Sequence, residues 1–215
     1  MAGHGGPDLV QDGLVLSLDA ASKNSYPGSG TTWTDLSGDN NGTLSAEAIG
    51  TTEAGVMTFV NGGGNSINIG NNISTLTTGT LEAWFTRTSA ESSYQMIFSD
   101  ASSQLEFTYP GTGQTLTFYL NNSGVSATLG GDNEWYHVVG TFDTGGNFQK
   151  IYVNNVLENS TTYPGDATAA TSYIGGRGAG FELSGKIPII RVYNRYLTTT
   201  EISQNFNAQR SRFGV

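Results

Sequence analysis

The chain has no cysteine, which excludes a disulfide framework and any thiolate-bound metal. Basic residues are scarce: 9 Lys and Arg stand against 18 Asp and Glu, for a net charge of −9. Without a basic stripe, a sequence-independent grip on nucleic acid is excluded. The acidic balance also favours solubility and repels anionic surfaces. No apolar run approaches the ~20 residues of a membrane span, so no membrane insertion is expected. The opening Met1-Ala-Gly-His-Gly-Gly-Pro-Asp8 has neither the basic start nor the apolar core of a secretion leader. With Met1 as the natural start, synthesis and first use in a cytosol are expected.

What the chain does have is turn chemistry and alternation. Its 215 residues include 30 Gly, aromatics reach 11%, and Asn, Ser and Thr recur throughout. That mixture supplies turns and β-branched strand positions, and the length suits one large β domain with a sizeable core. The most informative stretch is Glu134-Trp-Tyr-His-Val-Val-Gly-Thr-Phe-Asp143, followed by Lys150-Ile-Tyr-Val-Asn-Asn-Val-Leu157. As a strand, Trp135, His137, Val139 and Thr141 point one way, and Tyr136, Val138 and Phe142 the other. Asp143-Thr-Gly-Gly-Asn147 turns the chain. Asn154-Asn155 then sits where a two-residue hairpin needs positive φ at both positions, which Asn tolerates better than other non-glycine residues. Three consecutive antiparallel strands are predicted.

Further strand candidates are Leu14–Leu18, Val56–Val60, Ser66–Ile69, Thr80–Arg87, Tyr94–Phe98, Gln104–Tyr109, Thr115–Leu120, Val125–Leu129, Ser172–Gly176 and Gly185–Tyr193. Many short strands with Gly, Asn and Ser breaks predict an all-β, antiparallel two-sheet jelly-roll sandwich. One short C-terminal helix follows. Thr198 and Glu201 have capping-box spacing, Leu197 can staple to Ile202, and Ile202 and Phe206 share a face. The helix is expected to pack on the edge of the sandwich. Residues 1–12 read as a flexible arm and 13–215 as one domain.

The Trp135-Tyr-His-Val138…Asp143…Ile151-Tyr-Val-Asn154 pattern resembles the signature of laminin-G-like modules in the concanavalin A-like lectin/glucanase superfamily. Four further patches resemble that family in order: Gly13–Ala20, Asp35–Leu44, Thr80–Trp84, and the closing Ile174-Gly-Gly176…Phe181…Gly185-Lys-Ile187…Arg191–Leu197…Glu201-Ile202. The resemblance covers nearly the whole chain from about residue 13 and implies the concanavalin A-like jelly roll. The fold alone leaves function open, because it hosts sugar binders, glycosidases and structural modules. The family often carries an acid after the G-x-I that helps hold a structural calcium. Pro188 stands there, so the resemblance does not carry a Ca2+ site over, and no cofactor is expected. Pro188 also lacks a ladder N–H, so the strand is expected to bulge or lie at an edge.

Ser25-Tyr-Pro-Gly-Ser-Gly-Thr-Thr-Trp-Thr-Asp-Leu36 and Asn205–Gly214 also resemble stand-alone modules of tailed bacteriophages. That implies a virion accessory protein, a capsid decoration or tail-associated module made in the host cytoplasm. Its partners would be other virion proteins or its own copies, together with cell-surface glycans. The alternatives are a carbohydrate-binding module of a bacterial surface protein and a glycoside hydrolase.

Glycosidase chemistry needs two carboxylates roughly 5–9.5 Å apart. Laminarinase-type relatives place them in E-x-D-x-x-E, which is absent from this sequence, so no catalytic residue is assigned. Asp132 and Glu134 are at i, i+2 but in a Gly-rich turn, and Glu82 and Glu106 could face each other from different strands. His137 reads as structural. Asp39–Gly42 and Asp143–Asn147 are oxygen-rich loops that turn chemistry explains, and no metal site is assigned. Gly175–Gly180 lacks the Lys-Ser/Thr end of a phosphate cradle. Sugar binding needs exposed aromatic faces beside hydrogen-bonding groups. The candidates are Trp33, Tyr94, Tyr109, Tyr119, Tyr163 and Arg177, with Tyr109 and Tyr119 expected to reach solvent from strand ends.

Overall fold

The predicted meander from Tyr136 to Thr161 organises one of two sheets in a computed structural model of the chain, which describes residues 8–46, 48–51, 53–70, 76–100, 105–110, 112–166, 170–177 and 181–215. Residues 1–7 of the expected arm, Gln104, and Gly178–Gly180 of the Gly-rich loop lie outside them. In chain order the elements begin β1 Leu14–Asp19, β2 Thr32–Trp33, β3 Gly42–Leu44, α1 Ala48–Thr51, β4 Met57–Phe59, β5 Ile67–Asn68, β6 Thr78–Arg87 and β7 Tyr94–Asp100. They continue β8 Leu105–Pro110, β9 Thr115–Leu120, β10 Ser123–Thr128, β11 Tyr136–Asp143, β12 Phe148–Val153, β13 Val156–Thr161, β14 Ser172–Ile174, β15 Gly185–Tyr193 and α2 Thr199–Phe213. Among the described residues a seven-stranded sheet runs β1-β15-β6-β11-β12-β13, with β4 also on β15. An eight-stranded sheet runs β10-β9-β8-β7-β14-β5-β3-β2. The ladders are antiparallel, and the sheets stack as a jelly-roll sandwich.

Local chemistry explains the turns. Asn154 and Asn155 have φ of 46° and 70°, the double positive φ that a tight hairpin between β12 and β13 demands. Asn121 and Asn122, at 46° and 58°, make the same turn between β9 and β10. Gly175 combines φ of +76° with the Phe59 ring lying 2.1 Å from where a Cβ would be, so no other residue fits there.

Alternation decides what is buried. On β6, Leu81, Ala83 and Phe85 enter the core between the sheets, joined from β11 by Tyr136, Val138 and Phe142. The other face of β6 and β11 is covered by α2. Phe206 stacks on Trp84 at 5.8 Å, and Phe213 stacks on it at 4.2 Å. Leu197 and Ile202 pack with Val139 and Tyr193. The capping box is formed, with Thr198 Oγ1 accepting from Glu201 N–H at 3.3 Å and Glu201 Oε2 accepting from Thr198 N–H at 2.9 Å. The helix therefore lies on a sheet face, not on the edge expected from sequence; Trp84 and Ile189 give that outer face an apolar surface that needs cover.

The bulge expected at Pro188 is present: the register of β15 shifts between Lys186 and Ile189, in a strand that is central, between β1 and β6. The bulge supplies the carbonyl that accepts from Ala20 N–H at 2.9 Å. The expected arm is docked from Asp8 onward. Val10 is buried, its N–H donates to Asn205 Oδ1 at 2.9 Å, and its carbonyl accepts from the Tyr193 hydroxyl at 3.2 Å.

Candidate functional site

While α2 covers part of the outer face of the seven-stranded sheet, a cavity of about 250 Å3 opens on the outer face of the other sheet. It is built from neighbouring strands β7, β8 and β9. Strand parity sends Phe107, Tyr109, Leu116 and Phe118 inward, which turns Glu106 and Tyr119 outward, directly opposite each other across the ladder. Tyr94 and Met96 reach the same face ahead of a bulge between Met96 and Phe98. The Asn121-Asn122 turn brings Asn122 to the rim. The loop after β14 closes the far side with Arg177 and Phe181.

Phe181 holds φ of +58°, a left-handed conformation that costs a bulky residue of order 1–3 kcal/mol and therefore needs support. Its carbonyl accepts from Met96 N–H at 3.0 Å, and its ring, 42% exposed, meets Tyr94 edge-on at 6.0 Å. Tyr94 is itself 45% exposed. Two aromatic surfaces thus stand at the mouth. At the floor Glu106 is only 2% exposed, and its Oε1 accepts from Arg177 Nη2. A carboxylate with this one contact has lone pairs for a further donor. Burial lowers the Arg177 pKa, against the opposing pull of Asp100. Burial, and then Tyr94 close by, raise that of the Tyr119 hydroxyl. The cavity therefore offers apolar ring surface, a fixed cation, and a buried carboxylate with an oxygen to give to a donor.

The sequence matches a known family. The family model described as "Concanavalin A-like lectin/glucanases superfamily" matches residues 61–203. The chain belongs to this superfamily. No curated protein sequence matches it. Among solved structures this superfamily member is similar to Trypanosoma rangeli sialidase, with TM-score 0.67 and 18% identity over 92% of this chain and 33% of the sialidase. It is also similar to the botulinum neurotoxin serotype D binding domain, with TM-score 0.66 and 17% identity over 93% of this chain and 53% of that one. A third is botulinum neurotoxin type C, which depends on interaction with two ganglioside molecules to get into cells, with TM-score 0.69 and 16% identity over 92% and 52% of the two chains. The chain thus spans about a third of the sialidase and about half of the toxin chains, and these likenesses are of fold.

This member of the superfamily gathers Tyr94, Tyr119 and Arg177 of the sequence candidates around one cavity. Trp33 and Tyr109 are corrections. Trp33 is fully buried between the sheets because β2 pairs with β3 and points it inward. Tyr109 shares the parity of Phe107, so it also enters the core, under the Arg87 guanidinium 4.1 Å from its ring. Its burial pushes the phenol pKa far up. Tyr163 lies elsewhere, half-buried and stacked on Phe142 at 6.5 Å. Sequence reasoning missed Met96, Asn122 and Phe181. Asn122 had a signal, since Asn121-Asn122 between two strands repeats the Asn154-Asn155 pattern.

Glu82 and Glu106 do not face each other, and Asp132 and Glu134 each have a partner of their own. Glu82 and Glu106 lie on the outer faces of different sheets, with the core between them. Asp132 is held by Arg87 Nε at 2.6 Å, while Glu134 accepts from the Tyr136 hydroxyl at 2.6 Å. Glu82 is instead the hub of a buried network under α2. Its Oε1 meets His137 Nε2 and Arg191 Nη1, both at 3.0 Å, and its Oε2 accepts from Asn205 Nδ2 at 2.8 Å. Burial pushes the Glu82 pKa up, but Arg191, His137 and Asn205 outweigh it and hold it at about 2.

The two oxygen-rich loops are internally organised. Asp35 accepts from the backbone of Ser17, Ser37 and Asn40, and Asp143 Oδ2 accepts from Gly146 N–H at 2.6 Å. Among the described residues no three His, Asp or Glu side chains group as a metal site. A polar cleft of about 420 Å3 beside Asn40, Asn41 and Asn68 has no aromatic wall.

Proposed function

We propose that the chain is a non-catalytic carbohydrate-binding module whose sugar site is the cavity on the eight-stranded sheet. One observation carries this reading: exposed aromatic rings at the mouth, above a buried carboxylate that is paired with a guanidinium and still has an oxygen to offer. Sugars present an apolar C–H face and a ring of hydroxyls, so they need this combination. Superfamily membership and the likeness to a ganglioside-dependent toxin are consistent with it. At about 250 Å3 the cavity is smaller than the roughly 300–1,000 Å3 of drug-sized sites, which suits a single pyranose ring.

The non-catalytic part rests on the carboxylates. Glu106 is the one acid among the described residues that line the cavity, and Glu82 belongs to the other sheet. The test is a glycan array probed with the full chain, repeated with Tyr94→Ala and Tyr119→Ala. Binding that falls about tenfold in each variant, without unfolding, supports the reading. No binding to any sugar at millimolar concentration ends it. Release of reducing sugar that is lost in Glu106→Gln would overturn the non-catalytic assignment.

The resemblance of Ser25–Leu36 and Asn205–Gly214 to phage modules favours a place for this binder on a virion. Mass spectrometry of purified particles tests that placement, and absence of the protein from particles ends it.

A further inference from the structure

We propose that the cavity selects neutral pyranoses with adjacent hydroxyls and rejects acidic sugars; this rests on reading the cavity as a sugar site. Charge decides it. Glu106 and Arg177 neutralise each other across the floor. Among the described lining residues Glu106 and Arg177 are the charged side chains, and each is the other's partner. The cavity thus presents no excess positive charge, on a chain whose net charge is −9.

An acidic sugar would have to compete with Glu106 for Arg177. Success would leave the Glu106 carboxylate, 2% exposed, without its cation, and stripping one partner from a buried pair is strongly unfavourable. Failure would leave the ligand's carboxylate facing Glu106. A like charge at 6–7 Å near a protein surface weakens binding by on the order of tenfold or more. A neutral ring meets no such conflict. One hydroxyl donates to Glu106 Oε2, its neighbour accepts from Arg177, and the C–H face lies against Tyr119 or Tyr94. Two adjacent groups, one acceptor and one donor, read two adjacent hydroxyls.

Isothermal titration of the full chain at pH 7 and low salt tests this with methyl glucopyranoside, galactopyranoside and mannopyranoside, set against N-acetylneuraminic acid and glucuronic acid. The expected result is measurable affinity for at least one neutral pyranoside, with each acidic sugar at least about tenfold weaker. In Glu106→Gln the preference narrows or inverts, because the carboxylate that competes with an acidic sugar for Arg177 is gone. An acidic sugar that binds wild-type protein as tightly as the best neutral one overturns the selectivity while leaving the sugar site in place. Absence of binding by every sugar in the titration and on the array removes both. The wild-type ranking stands by itself if Glu106→Gln does not fold.

Discussion

Replacing Glu82 with Gln should destabilise the protein strongly at pH 7 and hardly at all at pH 2. The side chain is fully buried and neutralises Arg191, itself buried, while accepting from His137 and Asn205. Removing one partner of such a pair costs about 3–5 kcal/mol, because the other charge stays buried without compensation. The pH dependence gives a second handle on the same energy. The Glu82 pKa falls from the usual 4.5 to about 2, which corresponds to about 3 kcal/mol. Because the folded state lowers this pKa, the stabilisation is fully present above pH 4.5 and disappears as pH falls towards 2. Wild type and Glu82→Gln should therefore differ by about 10 °C in Tm at pH 7, at roughly 2–4 °C per kcal/mol for a chain of this size. The gap should close as Glu82 is protonated. Glu201 also titrates at about 2, held down first by its hydrogen bonds from Arg195. It is common to both proteins and cancels in the difference. Calorimetry of the two proteins at pH 7, 4 and 2.5 measures this. A gap under about 2 °C at pH 7, or one that stays constant with pH, would refute the assignment of Glu82 as the charge hub beneath α2.

Three other outcomes follow from specific contacts. Trp33→Ala should lower stability by about 3–5 kcal/mol through a core cavity, seen as a large drop in the denaturation midpoint; an unchanged midpoint would contradict its burial. Thr198→Ala removes the α2 cap and should cost about 1 kcal/mol, read as a Tm drop of about 3 °C; no drop would contradict the capping role. Phe181→Gly relieves the positive φ while removing the ring, so thermal stability should hold within a few degrees while sugar affinity falls several-fold. A large loss of stability instead would make Phe181 a structural residue.

The sequence made local features legible and long-range ones opaque. Asn154-Asn155 and the Thr198–Glu201 box each bind their own neighbours, so composition and spacing were enough. Pro188 announced a bulge, because the missing N–H is local, but not its place between β1 and β6, which depends on partners about 100 and 170 residues away in sequence. The site followed the same rule. Tyr94, Tyr119 and Arg177 could be named by type, yet Arg177 meets Glu106 across 71 positions, a distance no spacing rule spans. Tyr109 has the parity of Phe107, which sends it inward, and that facing overrides its place near a strand end. Trp33 gave no parity signal, because β2 is only 2 residues long. Glu82 and Glu106 both sit on alternating strands, and only the sheet order separates them.

The central question is where a sugar sits. Chemical-shift mapping of the labelled full chain, titrated with the best-binding neutral methyl pyranoside, locates it directly. Perturbations should cluster on Tyr94, Met96, Glu106, Tyr119, Arg177 and Phe181, and need about tenfold more sugar in Tyr119→Ala. Shifts centred instead on the polar cleft of Asn40, Asn41 and Asn68, or no shifts at saturating sugar, would contradict that placement.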